Sequence, residues 1–139
     1  RNLEETIFRT NLEAAVAVLD GCTLGVAGST LRLGPPTPHR LLPHGTLYAY
    51  FVAAKSDDEE AFMQDVHAEL RALRVDAHTV CGKRQQRDRG AGALVGFSLM
   101  LHGLSAADSL TVQAVGIGPH RALGCGLFVP HKSAAAVGA

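Results

Sequence analysis

The chain has 139 residues, of which 47% are hydrophobic and 19% charged, with 13 basic and 13 acidic side chains and no net formal charge. That length suits one domain, or one domain plus part of another, and the apolar share is enough for a packed core, which excludes a disordered chain. Zero net charge gives no bulk electrostatic argument for a nucleic-acid partner, and no apolar run approaches the roughly 18 residues that a membrane helix needs. Cys22, Cys81 and Cys125 are odd in number and share no CxxC spacing. Neither a disulfide framework nor a zinc site is therefore expected, and a reduced cytoplasm is the natural compartment. The chain opens at Arg1 rather than Met, which points to an incomplete N-terminus.

In chain order, Asn11 to Leu19 has helix-forming composition, with Asn11 as N-cap. Cys22 to Val26 and Thr30 to Leu33 flank Ala27-Gly28-Ser29 and read as a hairpin. Residues 34 to 45 hold Pro35, Pro36, Pro38 and Pro43, an extended linker at which a boundary is placed. Thr46 to Ala54 alternates as a strand, with Leu47, Ala49 and Phe51 on one face and Tyr48, Tyr50 and Val52 on the other. Ser56 is the expected cap of a helix over 57–74 that buries Phe62, Val66, Leu70 and Leu73. Its opening acids, Asp57 to Glu60, suit the positive end of a helix dipole and need no metal to explain them.

Val75 to Cys81 reads as a short strand, Gly82 to Gly92 as a polar loop, and Ala93 to His102 as a second strong strand. In it Phe97 shares a face with Val95, Leu99 and Leu101, which favours a core position over base stacking. Ser105 to Asp108 has the form of a capping box and opens a helix to about Val115. Leu123 to Val129 closes as a strand, and 133–139 reads as a frayed tail. The order from residue 46 is thus strand, helix, strand, strand, helix, strand. This is an α+β, ferredoxin-like (RRM-like) βαββαβ unit over 46–130, an antiparallel sheet covered by two helices.

Two stretches carry candidate chemistry. Gly116 to Phe128 holds four glycines with His120 and Arg121. One reading is a tight helix-to-strand turn, with Gly116 as the C-cap and Gly124 and Gly126 marking a bulge. The other is an anion-binding concavity, in which glycines turn backbone N–H groups outward and Arg121 adds a phosphate-matching fork. A dinucleotide fingerprint is excluded, since that motif follows a strand and opens a helix. The second stretch, Lys83 to Arg89, carries four positive charges and one negative. It is either a solvated hairpin tip or a phosphate contact whose counterion release steepens salt dependence.

Gly96-Phe97-Ser98-Leu99-Met100-Leu101-His102-Gly103-Leu104-Ser105-Ala106-Ala107-Asp108-Ser109-Leu110, followed by the glycine stretch ending in Gly124-Cys125-Gly126-Leu127-Phe128-Val129-Pro130, resembles the C-terminal half of CRISPR repeat-RNA-processing endoribonucleases. These belong to the RAMP superfamily, and the closest resemblance is to its type I MYXAN-like subtype. The specific motifs span 94–130, and a looser likeness reaches back to about residue 20. The resemblance implies two ferredoxin-like units in tandem, so that 1–45 would be part of the first unit and the Pro-rich linker, 46–130 the RNA-binding second unit, and 131–139 a tail.

It also implies an enzyme that binds the stem-loop of CRISPR repeat RNA and cuts pre-crRNA without metal or other cofactor, leaving a 2′,3′-cyclic phosphate. The enzyme would then stay on the 3′ stem-loop of the crRNA as a probable subunit of a Cascade-like effector complex, with no membrane partner. The implied RNA contacts are Lys83, Arg84, Arg87 and Arg89 with Gly116, Gly118, His120, Arg121, Gly124 and Gly126. A histidine suits the acid or base role near neutral pH. In the family it lies in a His-Gly-containing motif beside a helix of the first unit. His44-Gly45 lacks that context, so the catalytic residue is expected outside this chain, with His120 the candidate inside it. His67 and His102 read as structural positions. The alternatives are a non-catalytic RNA-binding subunit of the same superfamily and a ferredoxin-like domain that binds a metabolite.

Overall fold

A computed structural model describes residues 14–88, 90 and 92–131, and the chain divides into two compact units between Arg40 and Leu41. In the first, residues 14–17 are helical, while the Asn11 cap lies outside the described residues. Strands β1 (Thr23–Val26) and β2 (Ser29–Arg32) pair antiparallel, with Val26 opposite Ser29. Ala27 and Gly28 have φ of 48° and 79°. Two successive left-handed residues make the tight turn whose twist matches a hairpin, so the loop is one residue shorter than the sequence suggested.

The second unit has strand β3 (Thr46–Ala53), helix α1 (Glu59–Ala72), strands β4 (His78–Asp88) and β5 (Ala93–His102), helix α2 (Ala106–Val115) and strand β6 (Val129–Pro130). The sheet order is β4-β5-β3-β6, each neighbour antiparallel. This is the ferredoxin-like fold expected of the βαββαβ order. One sheet face carries Leu47, Ala49, Val52, Phe97, Leu99 and Leu101, which form a single core with Phe62, Val66 and Leu70 of α1 and Val112 of α2. Phe97 is part of it, its ring stacked on Phe62 at 4.7 Å. Ser105 caps α2 as expected, its hydroxyl accepting from Asp108 N at 3.1 Å.

Four local expectations are corrected. Helix α1 starts at Glu59 because Asp58, not Ser56, caps it: Asp58 Oδ1 accepts from the amides of Glu60 and Ala61. Residues 82–88 form no loop but continue β4 to Asp88. As an edge strand β4 has one neighbour, and charged side chains are the usual composition there. The closing strand is only Val129–Pro130, because Arg121–Leu123 forms a 3₁₀ turn.

The fourth correction concerns strand faces. Ala49 pairs with Leu99 and Val52 with Phe97, so β3 holds one extra residue opposite Ser98. Cys81 pairs with Leu99 and Arg84 with Phe97, so β4 bulges opposite the same serine. A bulge of this kind reverses the in-out alternation beyond it. Val52 accordingly enters the helix-covered core, while Phe51 turns to the opposite face with Ala53 and Cys125.

Gly96 lies beneath this bulge: a Cβ there would meet the Val52 carbonyl oxygen and stand 2.8 Å from the Phe51 ring. Gly96→Ala should therefore cost about 1–3 kcal/mol by overpacking, read as a lower urea midpoint at unchanged m. Cys81 packs against the core, and burial, with a smaller push from the negative charge of Glu59, raises its thiol from 9.0 to about 11. The neutral thiol is the form favoured by folding, so its stabilising effect is complete below pH 9 and is lost as pH rises toward 11. Alkylation of Cys81 in the folded protein should still be accelerating between pH 9 and 10, and a plateau there would contradict this.

Candidate nucleic-acid interface

Helix α2 ends at Gly116 (φ 72°), whose amide donates to Val112 O at 2.8 Å. From here the glycine stretch folds back on itself. Ile117 N donates to Gly126 O at 3.1 Å, Gly126 N to Phe51 O at 2.8 Å, Gly124 N to Arg121 O at 2.9 Å and Cys125 N to His120 O at 3.3 Å. Gly118 N donates to Glu69 Oε2 at 3.0 Å, which fastens the loop to α1. The amides of all four glycines are thus satisfied inside the protein, which corrects the expected outward-facing amide cradle.

The glycines serve close chain approach instead. A Cβ on Gly126 would run into Ile117 O, and one on Gly116 would stand 2.6 Å from Gly126 O. Gly116, Gly118 and Gly126 are buried and Gly124 is exposed. Gly124 (φ 85°) has nothing within 4 Å of the place a Cβ would take. His120 is exposed in a left-handed conformation at φ 62°. Beside it the exposed Arg121 donates from Nη1 to Gly118 O at 3.1 Å, which leaves most of its guanidinium fork for other acceptors.

Because residues 83–88 are strand, their side chains divide between two faces. Arg84 turns to the helix side, where Nη2 meets Asp57 Oδ2 at 3.2 Å. Arg87 turns to the open side, its Cζ 5.6 Å from the centroid of the Phe51 ring. Gln85 lies between: Nε2 donates to Tyr50 O at 2.8 Å and Oε1 accepts from Arg87 Nη2 at 3.1 Å. Lys83 is exposed at the β4 bulge, and Arg89 lies outside the described residues.

These elements converge. A groove of about 550 Å³ on the face away from the helices is lined by Tyr50, Phe51 and Arg87 on one side and by Leu123, Gly124 and Cys125 on the other. The strand face that carries Arg87 and the exposed end of the glycine stretch therefore border one concavity. Tyr50 and Phe51 were missed as site residues because alternation alone puts them on opposite faces. The histidines are dispersed. His67 Nε2 lies 3.0 Å from Thr79 Oγ1, His78 and His102 stack at 5.0 Å, and His44 uses its backbone N to reach Ser109 Oγ at 2.8 Å. The first-turn acids have local roles, Asp58 as cap and Asp57 as the partner of Arg84. Among the described residues no helix is long and apolar enough to cross a membrane.

The model of the Cas6 Crispr family matches residues 7–133. The chain belongs to the Cas6 family. It is 42% identical over 133 residues to the CRISPR-associated endonuclease Cas6 of Myxococcus xanthus (strain DK1622), an alignment covering 94% of this chain and 58% of the relative. The chain thus spans less than two thirds of the length of that Cas6 relative.

The loop geometry yields a graded prediction. Gly124→Ala should cost only the left-handed penalty of roughly 1–2 kcal/mol. Gly126→Ala adds a clash with backbone and should cost at least about 1 kcal/mol more. Equal denaturation midpoints for the two variants would contradict the tight crossing at Ile117.

Proposed function

We propose that this chain is the RNA-gripping portion of a CRISPR repeat-RNA-processing endoribonuclease that binds the repeat stem-loop. The observation that carries the reading is the groove, where an arginine with no carboxylate partner among the described residues faces the exposed end of the glycine stretch. Family membership supports the substrate class. In this reading Arg87, Lys83 and Arg121 meet phosphates, His120 and Gly124 line the RNA path, and Gly116, Gly118 and Gly126 hold the loop that presents them. Arg84 contributes less, since Asp57 already neutralises it, and Arg89 is read from the sequence as a further phosphate contact.

In the chemistry proposed for the complete protein, a 2′-hydroxyl attacks the adjacent phosphorus while a base removes its proton, and an acid protonates the departing 5′-oxygen. The products are a 2′,3′-cyclic phosphate and a free 5′-hydroxyl, and no metal is needed. The acid/base histidine is assigned outside this chain, with His120 as the candidate inside it. Residues 1–45 are read as the end of a first ferredoxin-like unit and its linker, 46–130 as the RNA-binding unit and 131–139 as a tail. The processed RNA would stay bound by its 3′ stem-loop within a cytoplasmic effector complex.

Incubation with repeat RNA in EDTA tests this directly. A shifted, uncut band is expected from this chain, and cleavage from a protein that also carries the acid/base histidine. Cleavage by this chain alone would move the catalytic group inside it, and absence of any shift at low salt would favour a metabolite-binding domain. The two arginines should also separate. Arg87→Ala should reduce the slope of log K against log salt by about one, and Arg84→Ala should reduce it by clearly less. Equal effects would contradict the division of the basic strand between faces.

A further inference from the structure

The groove has walls more apolar than phosphate contact requires. Tyr50, Leu123, Leu127 and Val129 line it with exposures of 65%, 51%, 52% and 42%. Single exposed apolar side chains are ordinary, but several around one concavity mark a binding site. The Tyr50 ring packs at right angles to that of Tyr48, with centroids 4.9 Å apart, and most of its surface is open to solvent. The cation at the rim is Arg87, whose partners among the described residues are an amide oxygen and a ring, with Asp88 also in the lining, whereas Arg84 and Lys55 are paired with Asp57 and Asp65.

We propose that this groove takes one unpaired nucleotide of the bound RNA, its base stacked on Tyr50 between Leu123 and Leu127 and its phosphate on Arg87. The inference rests on the RNA-binding reading above. A flat aromatic face beside a lone cation is the arrangement that single-stranded nucleic acid uses. The volume, about 550 Å³, falls within the range of small-ligand sites. An amphipathic helix would instead need a longer apolar trough with anchors one and two turns apart.

The site should tolerate any base. Gln85, the amide side chain beside Arg87, has its Nε2 committed to Tyr50 O and its Oε1 to Arg87. With that amide engaged, the base is held by stacking and its identity matters little.

The test uses the full chain and two RNAs, a blunt hairpin without unpaired nucleotides beside its stem and the same hairpin with a single-stranded flank. 2-Aminopurine placed at successive flank positions reports stacking by fluorescence quenching. One position should quench, and replacing the base there should change affinity by less than about threefold. Tyr50→Ala should abolish the quench and weaken the flanked hairpin by roughly 5- to 100-fold, while binding of the blunt hairpin stays unchanged. Leu127→Ala, a second surface change, should weaken only the flanked hairpin. Equal losses on both RNAs, no quenched position, or a Tyr50-dependent dimer in place of RNA binding would overturn the pocket. If the unaltered chain binds neither RNA, the RNA-binding reading itself fails.

Discussion

One hydrogen bond ties the sheet to the loop that defines the site: Gly126 N donates to Phe51 O at 2.8 Å. It exists because β3 carries an extra residue at Tyr50–Phe51. Without that bulge, strict alternation would turn Phe51 into the helix-covered core and Val52 onto the open face. With it, the Phe51 ring lies between Arg87 of β4 and Cys125 of the loop, and its carbonyl holds the return strand of the glycine stretch. A single register slip thus brings together three segments far apart in sequence.

The glycine stretch shows how backbone accounting decides between two chemically reasonable readings. Outward amides would bind an anion, but each buried amide turned away from protein must find water or a ligand, at a cost of about 1–3 kcal/mol if it does not. Here the four glycine amides each have an internal acceptor, so the loop's path is set by bonds within the protein. Preorganisation of that kind lowers the ordering cost of binding. A ligand at this loop would therefore meet the groups it exposes, Gly124, His120, Arg121 and Leu123, rather than a cradle of amides.

Much of the second unit was legible in the sequence. The alternation of β5 and the Ser105 cap of α2 are local signals, and both elements have the expected limits. What was not legible was nonlocal. Residues 82–88 are polar enough to read as a loop, and they become strand because Ala93–His102 offers a long pairing edge that a one-residue bulge at Gly82–Lys83 keeps in register. The division of the basic run follows from the same fact: charge composition puts Arg84 and Arg87 in one patch, and strand alternation puts them on opposite faces. Asp58 displaced Ser56 as the cap because its carboxylate reaches two amides. The Ser56 hydroxyl accepts instead from Asp58 N at 3.4 Å.

That division shows how the charge of one face can differ from the net charge of the chain. Net charge sums over faces, whereas a ligand within a Debye length of about 8–10 Å responds to the local face. On the helix side, Asp57 and Asp65 meet Arg84 and Lys55 at 3.2 Å and 2.9 Å. These exposed pairs add little stability, about 0–1 kcal/mol each. They also offset positive charge on the helix side, whereas on the open face Arg87 shares the groove lining with Asp88. Acids at the start of α1 thus favour helix initiation through the dipole and, through Asp57, offset the charge of Arg84 on the helix side of the sheet.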